Sequence, residues 1–72
     1  MFVSIRNSIL VNLDNVSEMT ISQWDNSSEL KIYNPKGELV ENISFNNPEE
    51  ANKVLDYIRT SIVNDVRVAY ID

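Results

Sequence analysis

The sequence contains no cysteine and no histidine among its 72 residues. Without cysteine there are no disulfide bonds, no thiolate metal ligands and no cysteine nucleophile. Without histidine the chain lacks the side chain that most often serves as a general base or metal ligand near neutral pH. The single glycine also excludes a glycine-rich loop that binds phosphate. We therefore predict that the protein is not an enzyme and holds no metal ion or cofactor.

Basic residues are scarce as well. Lys and Arg number 6 against 11 Asp and Glu, so the net charge is -5. Proteins that bind a phosphate backbone need clustered Lys and Arg, so we do not expect direct binding to nucleic acid. No apolar run approaches the length of a membrane span, and the first residues lack the pattern of a signal peptide. We expect a cytoplasmic protein without a membrane partner, folded as a single domain over residues 1–72.

Apolar residues alternate with polar ones over the first two-thirds of the chain, which is the pattern of half-buried strands. The in-phase sets are Val3 and Ile5; Ile9, Val11 and Leu13; Met19 and Ile21; Leu30 and Ile32; Leu39, Ile43 and Phe45. Turn-forming residues separate these runs at 25–28 and at 34–37, where Pro35 precedes the only glycine. Glu41 is in phase with its apolar neighbours, so we expect the strand to start outside the core or to bend there.

The period of the pattern changes at Asn47. This residue is a predicted N-cap, Pro48 occupies the first helical position, and two glutamates follow. Apolar residues then recur at helical spacing at Ala51, Val54, Leu55, Ile58 and Ile62, before Asn64 and Asp65 end the helix. Residues 66–71 form a predicted last strand. The fold class is therefore α+β: an antiparallel meander of four to five strands, one C-terminal helix on one face, and a short final strand. The pattern leaves open whether the sheet stays open or curls into a partial barrel.

Residues 5–16 and 47–58, followed by a β segment that ends at Tyr70, carry a family resemblance. The chain resembles small, mostly uncharacterised proteins encoded by phages and prophages of Firmicutes. These share an Arg-containing first strand, a Leu-Val-Asn-hydrophobic-Asp-Asn corner, and a helix that opens with Glu-x-Ala-x-x-Val-Leu-x-x-Ile. This chain lacks the Gln and the second charged residue that often follow the first Arg. The resemblance implies a phage-associated accessory protein and no specific chemistry.

Aromatic and arginine side chains are the candidate ligand-binding residues. Aromatic rings stack on nucleobases and Arg pairs with phosphate, so a pocket lined by Trp24, Tyr70, Arg6 and Arg67 would suit a nucleotide-like ligand. Trp24 is equally well explained as a lid on the core.

The last strand is apolar on both sides apart from Arg67, which is unfavourable for an exposed edge. It either pairs within its own sheet or pairs with another copy. Because small chains often gain stability by association, we predict a homo-oligomer with Val66, Val68 and Tyr70 at the contact.

Two functions remain open from the sequence. The first is a non-enzymatic accessory binding protein, a homo-oligomer that binds a host factor or sequesters a small nucleotide-like ligand. The alternative is an acidic inhibitor that mimics nucleic acid and blocks a host nucleic-acid-binding protein, because residues 14–41 carry more carboxylates than lysines.

Overall fold

The computed structural model describes residues 1–72 and contains six strands and one α-helix. In chain order these are β1 (Phe2–Ile5), β2 (Ile9–Asn12), β3 (Glu18–Gln23), β4 (Ser28–Tyr33), β5 (Leu39–Phe45), α1 (Pro48–Val63) and β6 (Val68–Ile71). A short 3-10 helix, Leu13–Asn15, occupies the corner between β2 and β3. The predicted α+β class, the antiparallel meander and the C-terminal helix and strand are confirmed.

The strands divide into two sheets of three. The second sheet, in the order β3-β4-β5, is the antiparallel meander. The first sheet has the order β2-β1-β6, in which β1 pairs antiparallel with β2 and parallel with β6. The final strand therefore pairs within its own chain, beside the first strand. Alternation in a sequence determines which residues share a face, but it does not identify the neighbouring strand.

One hydrophobic core joins the two sheets and the helix. The buried apolar residues are Val3, Ile5, Val11, Ala69 and Ile71 from the first sheet; Leu30, Ile32, Ile43 and Phe45 from the second; and Ala51 and Ile58 from α1. Burial alternates along β4, where every second side chain faces this core. A register shift opposite Ile32 and Tyr33 leaves Val40 unpaired, and Leu39 and Val40 are exposed, so β5 starts outside the core and is irregular next to Glu41.

Two turns between strands contain residues with the backbone in the left-handed region. Arg6 (φ 49°) and Asn7 (φ 57°) are the central residues of the tight turn between β1 and β2. The Ser8 amide donates to the Ile5 carbonyl across this turn, as in the hairpin turns that need positive φ at both centres. Gly37 (φ 82°) ends the turn between β4 and β5, where the Asn34 side chain accepts bonds from the Lys36 and Glu38 amides.

Both ends of α1 are capped. The Asn47 side chain accepts a hydrogen bond from the Glu50 amide at 2.9 Å, which confirms the predicted N-cap. The fully buried Ser28 hydroxyl donates to the Asn47 carbonyl at 2.9 Å and ties the start of the helix to β4. At the other end, the Val66 amide donates to the Ser61 carbonyl around Asp65 (φ 56°).

The buried side of α1 differs from the predicted stripe at its last turn. Ile62 is 56% exposed, whereas Ser61 is buried and its hydroxyl donates to the Tyr57 carbonyl. The hydroxyl satisfies its hydrogen bond within the helix, so a small polar residue is tolerated against the core. The helix is too short and too polar to cross a membrane.

Candidate functional site

A surface groove of about 340 Å³ runs between α1 and β6. We call it the α1–β6 groove. The turn between β1 and β2 and the end of β5 also line it, so four distant parts of the chain contribute residues. The residues that supply its chemistry are Arg6, Phe45, Glu50, Lys53, Tyr57, Tyr70 and Asp72.

Two tyrosines form the aromatic part of the groove. Tyr57 from α1 is 44% exposed and Tyr70 from β6 is 64% exposed. The Tyr70 amide donates to the Tyr57 hydroxyl at 3.3 Å, so the helix side chain occupies the free edge of the last strand. This bond holds the Tyr57 side chain beside β6, while the side chains of Tyr57 and Tyr70 both remain open to solvent. Exposed tyrosine rings offer a planar apolar surface together with a polar tip.

Arg6 lines the groove from the turn between β1 and β2, where its φ is positive. Its Nη2 donates to the Ser44 carbonyl at 2.6 Å, and its guanidinium carbon lies 5.5 Å from the centre of the Phe45 ring. These contacts link the turn of the first sheet to β5 of the second. A bulky residue at positive φ is uncommon and costs on the order of 1 kcal/mol, which the two contacts help to offset. The other N–H groups of the guanidinium make no hydrogen bond within the protein.

The charges of the groove are two cations and two carboxylates. Lys53 of α1 and Arg6 both line the groove, and so do Glu50 and Asp72. The one ion pair of the structure joins Arg59 to Asp56 on an exposed part of the helix. Neither groove cation is therefore neutralised by a close carboxylate. The structure contains no cluster of three or more acidic side chains with the spacing of a metal site.

Comparison of the chain with protein-family models, with curated proteins and with solved structures found no match. The chemistry of the α1–β6 groove therefore carries the functional conclusion.

Two of the four predicted ligand-binding residues meet in this groove. Arg6 and Tyr70 both line it, although 64 positions separate them in sequence, from 6 to 70. Trp24 lies in the turn between β3 and β4, 52% exposed and outside the groove. Arg67 is exposed, precedes β6 and does not line the groove either. The structure thus does not bring all four side chains together.

The sequence interpretation missed the contribution of α1. Glu50, Lys53, Val54 and Tyr57 recur at spacings of three and four, which places them along one side of the helix. Val54 belongs to the apolar stripe and the other three flank it, and together they become one wall of the groove. The spacing was a usable signal, but nothing in the sequence shows that β6 lies beside that wall.

Proposed function

We propose that the protein is a non-enzymatic binding protein that holds a small nucleotide-like ligand in the α1–β6 groove. The observation that carries this proposal is the presence of Arg6 and Lys53 in the same groove as the exposed rings of Tyr57 and Tyr70. A ligand with a planar ring and an anionic group would use both kinds of side chain.

The dimensions and charges of the groove narrow the class of ligand. Its volume of about 340 Å³ is near the lower end of small-molecule pockets, which span about 300–1,000 Å³. A base would stack on a tyrosine ring, and a phosphate would accept hydrogen bonds from the free N–H groups of Arg6 and from Lys53. Glu50 and Asp72 would accept bonds from ligand hydroxyl or amino groups, and they would repel additional phosphates. We therefore propose a mononucleotide-sized ligand with few negative charges.

The resemblance to small phage and prophage proteins supports a proposal about the biological role. A small protein that binds a nucleotide-like molecule without converting it would sequester that molecule from the host. We propose this accessory role, with binding to a host factor as its other form. The alternative of an acidic inhibitor stays a prediction, because no observation in the structure favours it.

Titration calorimetry with adenosine monophosphate, adenosine and inorganic phosphate tests the proposed ligand class. We expect the monophosphate to bind more tightly than either part alone. Lys53→Ala removes an exposed cation that makes no bond in the protein, so the fold should be unaffected. Loss of a charge-assisted hydrogen bond weakens binding by about 1.5–3 kcal/mol, or roughly tenfold to a hundredfold.

Lys36→Ala is the matched control, since it makes the same charge change in the turn between β4 and β5 and outside the groove. Its affinity for the monophosphate should equal that of the unmodified protein. Equal weakening by both variants would mean that binding follows net charge and would contradict the assigned site. Absence of binding for all three probes would contradict the ligand class.

A further inference from the structure

A second cleft, of about 260 Å³, separates β2 from the start of β5. We call it the β2–β5 cleft. Each of the two strands is an edge strand of its own sheet, and no ladder of hydrogen bonds joins them. Residues 9–12 form one wall, Val40 and Glu41 form the other, and Val16 lies between them in the chain and also lines the cleft. The two sheets are therefore open to each other at this point.

The free edge of β2 presents unpaired backbone groups to the β2–β5 cleft. The amides of Phe2 and Arg6 donate toward β6, so the even-numbered residues of β1 direct their backbone groups to that strand. Leu10 and Asn12 lie opposite two of these residues. In an antiparallel pair, residues in such positions direct their backbone groups away from the neighbouring strand. The Leu10 amide and carbonyl and the Asn12 amide therefore point away from β1, on a side where the sheet has no further strand.

Glu41 supplies an unpaired carboxylate to the opposite wall. It lies opposite the fully buried Ile32 and two residues before the buried Ile43, so it belongs to the core-facing side of β5. It is half-buried where the core ends and the cleft begins. The neighbouring amides of Asn34 and Asn42 donate to other carboxylates, and the one ion pair of the protein lies on α1. No Lys or Arg lines the cleft, so the Glu41 charge has no partner within the protein.

The edge of β2 lacks the protection that two other edges have. The Tyr57 hydroxyl covers the Tyr70 amide on the free edge of β6, and the Arg6 guanidinium covers the Ser44 carbonyl on the free edge of β5. Edge strands are usually protected by such covers, by charged residues or by proline. Residues 9–12 read Ile-Leu-Val-Asn and contain neither a charge nor a proline. This edge is therefore available for pairing with another chain.

We propose that the β2–β5 cleft binds an extended, basic segment of a partner protein, which adds to β2 as a further strand. A residue of the segment opposite Leu10 exchanges two hydrogen bonds with its amide and carbonyl, and the Asn12 amide donates a third. A Lys or Arg of the segment pairs with the Glu41 carboxylate across the cleft, where partial burial strengthens a charge-assisted bond. Alternate apolar side chains pack on Val16 and Val40.

Charge favours a basic segment over a second copy of this chain. The protein carries a net charge of -5, and the only charged residue of the cleft is Glu41. A basic segment is attracted to such a surface, whereas a second acidic copy is repelled. The length of β2, four residues, sets the length of the paired segment. This proposal does not depend on a ligand in the α1–β6 groove.

Fluorescence anisotropy with a labelled peptide of six alternating Val and Lys residues tests the proposal. The peptide with Glu in place of Lys should bind far more weakly. Glu41→Gln should weaken binding of the Lys peptide by roughly tenfold, the effect of losing one hydrogen bond to a charged group. Glu18→Gln is the matched control, because it makes the same charge change at an exposed residue of β3 outside the cleft and should leave the affinity unchanged.

Backbone pairing is tested separately from charge. Leu10→Pro removes an amide hydrogen that the β1–β2 ladder does not use, so the variant should fold and lose the peptide. Two N-methylated peptides provide the same test without altering the protein: methyl groups on the Val amides in one and on the Lys amides in the other. Because successive amides of a strand point to opposite sides, only one of the two should lose binding. Circular dichroism checks that each protein variant is folded.

Four results would overturn the proposal. They are equal binding of the Lys and Glu peptides, equal weakening by Glu41→Gln and Glu18→Gln, equal binding of the two methylated peptides, and absence of binding at millimolar peptide. Sedimentation velocity of the protein alone addresses the other occupant, since a dimer that the peptide dissociates would assign the cleft to a second copy and also overturn the proposal. Lys53→Ala should bind the peptide normally, so failure of the α1–β6 groove and failure of the β2–β5 cleft are distinguishable.

Discussion

The end of α1 offers a substitution that should stabilise the protein. Asp65 adopts φ 56° at the position after the C-cap Asn64, where the amides of Asp65 and Val66 return to the carbonyls of Ile62 and Ser61. Glycine is the residue usually found at this left-handed position. Asp65 also places a negative charge at the negative end of the helix dipole, and no basic residue in the last turn balances it.

The two effects can be separated by two variants. Asp65→Asn removes the charge but keeps a side chain that tolerates positive φ, and it should stabilise the fold by about 0.5 kcal/mol. Asp65→Gly also removes the steric cost of the left-handed conformation, roughly 1–2 kcal/mol, part of which is offset by the greater backbone freedom of unfolded glycine. We expect a total gain of about 1 kcal/mol, which raises the Tm of a domain this small by roughly 4–8 °C.

Thermal and urea unfolding followed by circular dichroism measure both shifts. Asn64→Gly is the control, because Asn64 has φ -86° and ψ 4° and gains nothing from glycine. It should lower stability by about 0.5–1 kcal/mol. An unchanged or lower Tm for Asp65→Gly would refute the assignment of strain to this residue. Equal gains from Asp65→Asn and Asp65→Gly would attribute the whole effect to charge.

Four further substitutions test the packing and the first turn. Ser28→Ala leaves the Asn47 carbonyl without its buried donor and should lower the free energy of unfolding by about 1–3 kcal/mol; a neutral result would show that water replaces the hydroxyl. Ile58→Ala opens a cavity in the core and should cost about 2–5 kcal/mol, whereas Ile62→Ala should cost less than about 1 kcal/mol. Similar losses of unfolding free energy in these two alanine variants would indicate that Ile62 is buried with the rest of the apolar stripe. Asn7→Gly should stabilise the first hairpin by up to about 1 kcal/mol, and a lower urea midpoint would contradict the observed turn geometry.

Local chemistry made most of the elements predictable. Asn47 and Pro48 mark the start of α1 because a side-chain acceptor and a residue without an amide hydrogen both suit the first turn. The Asn34 to Gly37 turn is predictable for a similar reason, since it depends on four consecutive residues. The sequence did not predict that β6 would lie parallel to β1. That pairing joins the two ends of the chain and depends on the packing of the whole core.

The candidate site was only partly predictable for the same reason. Arg6 and Tyr70 were selected for their chemistry, and the β1–β6 pairing brings them into one groove. Trp24 has suitable chemistry as well, but the β3–β4 turn places it outside the groove. Lys53 and Tyr57 were recognisable as a row on α1, yet their role depends on which strand lies beside that row.

Binding of a nucleotide-like ligand in the α1–β6 groove is the central claim, and native mass spectrometry tests it most directly. The protein is sprayed with adenosine monophosphate present, alongside Lys53→Ala and Lys36→Ala. We predict that the unmodified protein and Lys36→Ala retain the mass of one ligand per chain and that Lys53→Ala loses it. Equal retention by all three proteins, or no retained mass on any of them, would contradict the claim.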